Sequence, residues 1–220
     1  MVDAIDERTL LVECSHVLFR TSTVVDVASL VEKDRSVGAL IAVDGYQAAG
    51  TQPVDVVALG VDIYLGGSVK YLSGGPGNGW MYAAPHVSEL LEPVTAGWFG
   101  QLEPFAFDPE NAYAPGIRRF AGGTLGVLAA YAAEPAYQAL ADIGLQRVRE
   151  RSLSMTPSLL TQARPFTTGI GSALGRTALR STTAVSRPER RGLCPSGRRG
   201  MRSRSPPGRF CRTVALVFGL

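Results

Sequence analysis

Val61-Asp62-Ile63-Tyr64-Leu65-Gly66-Gly67-Ser68-Val69-Lys70-Tyr71-Leu72-Ser73-Gly74-Gly75-Pro76-Gly77 decides how this chain folds. The apolar run Val61–Leu65 has the length and bounding glycines of a buried strand that ends in a turn. Lys70 sits just past that turn and is one of only two lysines, the other being Lys33. The small residues around it predict a crowded, partly desolvated crevice. A lysine in such a place loses its proton more easily and can attack a carbonyl as a free amine. The plain alternative is a solvated surface charge, the commonest setting for a lysine.

Working outward, Leu10–Cys14 followed by His16–Phe19 reads as a strand with a break at Ser15. From Val24 to Lys33 apolar residues recur at helical spacing, with Asp26, Glu32 and Lys33 on the other side. Gly38–Val43 is a continuous apolar strand ending at Asp44. Pro53 is expected to open a short helix that stops at Gly60. Gly79–Ala83 forms a further strand, Pro85–Leu91 a short helix, and Leu125–Ala141 and Leu145–Leu160 longer ones. Residues 93–119, rich in Gly, Pro and aromatics, read as an ordered functional loop. Apolar strands alternating with short helices predict an α/β architecture, a mostly parallel sheet covered on both faces. Function in such sheets gathers at the carboxyl ends of the strands, where Asp44 and Lys70 both fall.

The net charge of +3 over 220 residues conceals two unlike segments. Residues 1–163 carry 10 Lys+Arg against 18 Asp+Glu, a net of −8, whereas residues 164–220 carry 12 arginines against Glu189 alone, a net of +11. The second segment is rich in Arg, Pro, Ser and Gly without a period of 2 or 3.6, so disorder is expected there. An arginine-rich tail suggests phosphate-backbone binding as an alternative function. It lacks interleaved aromatics, however, so no nucleic-acid partner is expected. Three scattered cysteines and two histidines argue against a disulfide framework or a metal site. No run is long and apolar enough for a membrane span and the first residues are acidic, so a cytoplasmic location is expected.

Val43-Asp44-Gly45-Tyr46-Gln47-Ala48-Ala49-Gly50, Pro53-Val54-Asp55, Gly60-Val61-Asp62, Lys70-Tyr71-Leu72 and Gly74-Gly75-Pro76-Gly77 together resemble the class V aminotransferases. These are fold-type I enzymes dependent on pyridoxal 5'-phosphate (PLP), a group that includes kynureninases and cysteine desulfurases. The resemblance extends through Gly97-Trp98-Phe99-Gly100, Pro104–Phe107, Arg119-Phe120 and Gly123-Thr124, covering residues 6–156. Gly97–Gly100 points to the kynureninase-like branch. It implies that residues 1–163 form the second half of a PLP-transferase large domain.

The resemblance implies a role for each of six residues. Lys70 is the Schiff-base lysine, and Asp44, 26 positions earlier, pairs with the pyridine nitrogen of the cofactor. Gln47 stands where the family often has histidine, and Ser15 matches a serine near the cofactor. Trp98 and Thr124 match residues that reach the phosphate from the partner subunit of a homodimer. Without that context, Asp44 reads as a turn or capping residue, Trp98 as a core aromatic and Thr124 as a helix cap. Val69 departs from the kynureninases, which commonly place a phosphate-binding tyrosine there. The family's phosphate cradle, expected before Met1, and its carboxylate-binding arginine have no counterpart in the sequence. The expected function is therefore a PLP-dependent, kynureninase-like enzyme acting on an amino acid, present as an incomplete fragment with reduced or no activity. The alternatives are a non-catalytic remnant and a cysteine desulfurase-like or lyase-like enzyme.

Overall fold

The computed structural model of the chain describes residues 1–95, 97–107, 110, 112–163 and 183–186. Strands β1 (Thr9–Ser15), β2 (Leu40–Asp44), β3 (Ile63–Gly67), β4 (Gly79–Ala83) and β5 (Thr183–Ser186) form one mixed sheet of order β4-β3-β2-β1-β5. β1, β2 and β3 run parallel; β4 pairs antiparallel with β3, and β5 antiparallel with β1. The parallel centre is the part that the continuous apolar runs predict. β4 reverses because the Ser68–Asn78 connection has no helix to carry the chain back across the sheet.

Side chains alternate between two cores. Val12, Cys14, Ile41, Val43 and Tyr64 pack on one face with Val27, Leu30 and Val31 of helix α1 (Val27–Val37). Leu11, Ala42 and Ile63 pack on the other face with Val87 and Leu91, at and just beyond helix α3 (Pro85–Leu90). Each fully buried Leu, Ile or Val contributes about 1.5–3 kcal/mol of transfer free energy, so these two clusters carry the central strands.

α1 begins three residues later than periodicity predicts, because Val24 is held extended by a bridge to Val17 and the Asp26 side chain caps the helix at Ser29 N. The same bridge folds 17–24 into a tight loop, so the strand anticipated for His16–Phe19 stops at Ser15. Gly38 ends α1 in the left-handed region (φ 68°), where a β-carbon is costly. Pro53 does not open the next helix. Helix α2 (Val56–Leu59) is started instead by Asp55, whose Oδ1 accepts from the backbone of Val57 and Ala58. Helices α4 (Val127–Ile143) and α5 (Leu145–Ala163) follow, α4 fixed at Ala133, whose Cβ would meet any Cβ placed on Gly74 at 2.8 Å. No helix among the described residues is long and apolar enough to cross a membrane. Apart from 183–186, which make β5, the segment 164–220 expected to be disordered lies outside the described residues.

One polar group occupies the apolar stripe of α1. Asp34 follows Val27, Leu30 and Val31 at helical spacing and is 1% exposed, and neither carboxyl oxygen has a hydrogen-bond partner among the described residues. Burial, reinforced by Asp62 nearby, pushes its carboxyl up to about 6. The folded state then binds a proton that the unfolded state releases near pH 4, so stability falls as pH rises from about 4 to about 6. The loss expected over that window is about 2–3 kcal/mol. Asp34→Asn should abolish that slope in urea-unfolding free energies measured across pH; an unchanged slope would show that another group sets it.

Candidate active site

The parallel register places the carboxyl ends of β1, β2 and β3 side by side, with Ser15 opposite Asp44 and Asp44 opposite Leu65. Beyond the strands the pairing continues. His16 N donates to Asp44 O at 2.9 Å and Gly45 N to Leu65 O at 2.7 Å. Asp44 is half-buried, and its Oδ1 accepts from Tyr46 N at 2.8 Å, the aspartate turn that the residue's small polar side chain favours. Gln47 follows, half-buried, in a helical turn closed by Ala48 N and Ala49 N on Gly45 O.

Beneath these ends lies a layer that local sequence reading misses. Tyr64, 2% exposed, bonds His16 Nδ1 at 2.9 Å, and Gln52 Nε2 lies 3.3 Å from His16 Nε2. With the Gln52 amide donating to Nε2, Nδ1 carries the proton and donates to the Tyr64 hydroxyl. Burial pushes the His16 imidazole below and the Tyr64 phenol above their ordinary values, so both are neutral near pH 7. Trp80 stacks on Tyr64 with centroids 6.1 Å apart. A Cβ on Gly45 would lie 2.2 Å from the Tyr64 ring, which makes glycine a requirement of the strand-end turn. The only sequence-level signal for this layer is the pair of polar-capable residues inside apolar runs. Their contact spans 48 positions and has no local pattern.

Past β3 the chain turns on Ser68, which is fully buried: its N–H donates to Asn78 O, its carbonyl accepts from Gly74 N, and its hydroxyl meets that of Tyr137. With Ser68 facing inward, Val69, Lys70 and Tyr71 face outward. Lys70 is therefore exposed, not held in a desolvated crevice as its neighbours' small size suggests. Its Nζ rests 5.0 Å from the centroid of the Tyr46 ring. The Asp44 and Lys70 loops touch directly, for a Cβ on Gly50 would lie 2.4 Å from Tyr71 O. Ser15, Asp44, Gln47 and Lys70 are thus gathered at one edge of the sheet.

Trp98 and Thr124 belong to another module. Gly97 packs against Ala121 and Gly122, and Phe99 N donates to Gly122 O, fastening the two ends of the 97–124 loop together. Trp98, 37% exposed, donates its indole N–H to Pro104 O and lies among Phe99, Phe105 and Phe107. Thr124 is exposed, and the N-cap of α4 is Gly126, so capping does not account for the threonine. Arg119 donates to Ala114 O within the module and ties the module to the end of α3 through Glu89 O, Leu91 O and the Glu89 carboxylate. Cys14 lies in the core, where burial and the nearby Asp34, Glu13 and Asp44 push its thiol up to about 12, so it stays protonated.

Residues 1–180 match the sequence model of the family described as aminotransferase class-V. An uncharacterised aminotransferase, YcbU of Bacillus subtilis (strain 168), is 36% identical over 146 residues, covering 66% of this chain and 38% of that protein. Kynureninase of Pseudomonas fluorescens is 32% identical over 154 residues, covering 70% of this chain and 37% of the enzyme. Among solved structures, a C-DES variant with glycine covalently linked to its PLP cofactor superposes with a TM-score of 0.62 at 25% identity, over 70% of this chain and 40% of that one. The cysteine desulfurase CsdA of Escherichia coli shares the fold, with a TM-score of 0.63 at 24% identity over 74% of this chain and 39% of CsdA. The chain spans less than two-fifths of the length of the curated relatives named here. With a matching family model over most of its described length, it belongs to the aminotransferase class-V family.

Proposed function

We propose that this chain carries the ring-binding and amine-bearing portion of a PLP-dependent enzyme that acts on an amino acid through Lys70. The observation that carries this reading is the placement of Asp44 and Lys70 on touching loops at the carboxyl ends of adjacent parallel strands. The residues fit the cofactor's ring end. Asp44 would hold a proton on the pyridine nitrogen, and Lys70 would supply the amine that joins the cofactor's carbonyl. Gln47 and Ser15 would hydrogen-bond the ring and its hydroxyl. When bound, PLP withdraws electrons from the substrate's α-carbon. The phosphate end would fall to Trp98 and Thr124, which sit on the separate 97–124 module. In a homodimer these two would come from the second copy, and Phe105, Phe107, Leu128 and Tyr131, each at least 70% exposed, give such a copy apolar surface to cover.

Kynureninase-like chemistry is favoured over transaminase or desulfurase chemistry by the Gly97–Gly100 segment and the similarity to a kynureninase. The chain alone is proposed to have reduced activity, because Lys70 stands open to water instead of in an excluded pocket.

Two lysines make the test direct. After incubation with PLP and borohydride reduction, peptide mass spectrometry should find the cofactor on Lys70 in clear excess over Lys33, and Lys70→Ala should lose it. Equal labelling of both lysines would sink the assignment. Asp44→Asn replaces a charge-assisted hydrogen bond with a neutral one and should weaken PLP retention about tenfold or more, read by equilibrium dialysis.

A further inference from the structure

We propose that Tyr46 is the positioning residue of Lys70, holding the lysine ammonium over its ring beside Asp44. The inference rests on the reading of Lys70 as the reactive amine, and nothing in the family resemblance assigns Tyr46 a role. Three contacts place Tyr46. Its backbone N–H is bound by Asp44 Oδ1 at 2.8 Å. Its hydroxyl end lies against the last residue of β3, where a Cβ on Gly67 would come within 2.0 Å of the hydroxyl oxygen. Its face receives Lys70 Nζ at 5.0 Å from the centroid, inside the range where an ammonium is attracted to an aromatic quadrupole.

Lys70 needs such a support. It stands on an exposed turn between Val69 and Tyr71, which are 50% and 53% exposed, and no carboxylate pairs with it among the described residues. A long side chain in that setting samples many rotamers. The Tyr46 ring gives it one resting place, and because Tyr46 is tied to Asp44, that place keeps a fixed relation to the carboxylate. The glycine at 67 is what leaves room for the ring.

The test uses the full chain and its two lysines. Reductive ¹³C-dimethylation preserves the positive charge and labels Lys33, Lys70 and the N-terminal amine, with Lys33→Arg assigning the signals. A methyl group over a ring face is shifted upfield, so the Lys70 signal should lie upfield of that of Lys33. The shift should survive in Tyr46→Phe, vanish in Tyr46→Leu, and shrink in Gly67→Ala, whose added Cβ displaces the ring. Coincident lysine signals in the unsubstituted chain, or a shift that persists in Tyr46→Leu, would overturn the proposal; the first needs no variant to fold. PLP trapping on parallel samples of the same proteins, left unmethylated so that each lysine keeps its primary amine, separates the two readings. Selective trapping on Lys70 without an upfield shift rejects the role of Tyr46 alone, whereas an upfield shift without selective trapping rejects the cofactor assignment and leaves the positioning intact. Where both hold, the Lys70-to-Lys33 trapping ratio should fall several-fold in Tyr46→Leu and recover in Tyr46→Phe.

Discussion

Parallel pairing of three short strands is the constraint on which the molecule depends. A parallel strand needs cover on both faces, and here α1 supplies one cover and α3 the other. Once β1, β2 and β3 are so enclosed, their register is locked, because a one-residue slip would turn Val12, Ile41, Val43 and Tyr64 toward the wrong core. Register in turn fixes chemistry. Ser15 and Asp44 are opposed because Leu11 and Leu40 are, and Lys70 follows β3 at a distance set by the buried Ser68.

One buried acid, Asp34, and one half-buried acid, Asp62, lie close enough to repel and give the sheet an electrostatic cost. Asp62 is answered: its Oδ2 accepts from Ile41 N at 2.9 Å and its Oδ1 meets His86 Nε2 at 2.8 Å. Asp34 is not, and its raised pKa is the relief that burial allows, since a protonated carboxyl is far cheaper to bury than a charged one. The neutral His16–Tyr64 pair follows the same logic on the layer beneath the strand ends, where each partner is satisfied by the other.

Much of the fold was legible in the sequence because its signals are local. Continuous apolar runs marked β2 and β3, Gly60 marked a helix end, and β4 has the bounds that its apolar run predicts, whereas Gly38 reads as the start of a strand and instead caps α1. The start of α1 was misread because Val24 carries an apolar side chain into a bridge with Val17, a tertiary pairing that overrides periodicity. Pro53 looked like a helix opener, yet the side chain that caps belongs to Asp55. The gathering of Asp44 and Lys70 could be anticipated, since both follow strands of one parallel sheet. The exposure of Lys70 could not. Small neighbours suggest a crevice only if they face the same way, and Ser68 alone turns inward while the next three residues turn out.

The six residues singled out by resemblance divide between the strand ends and the 97–124 loop, and the division has a physical cause. Four sit at the carboxyl ends of the strands, Ser15 and Asp44 as the last residues of β1 and β2 and Gln47 and Lys70 on the turns that follow β2 and β3. Trp98 and Thr124 ride on a loop tethered by Arg119, and that arginine grips the end of α3 and the Glu89 carboxylate, not the strand ends. The indole is then held by Pro104 O and by phenylalanines of its own loop, so it presents a face without needing the sheet. A module fastened to one side of the sheet and carrying exposed aromatics is suited to serve a neighbouring site, which is the arrangement proposed for a homodimer. On that view the exposed apolar residues of α4 and of the 97–124 loop are complementary surface, and Arg119 is the residue whose packing makes the module stiff enough to present it.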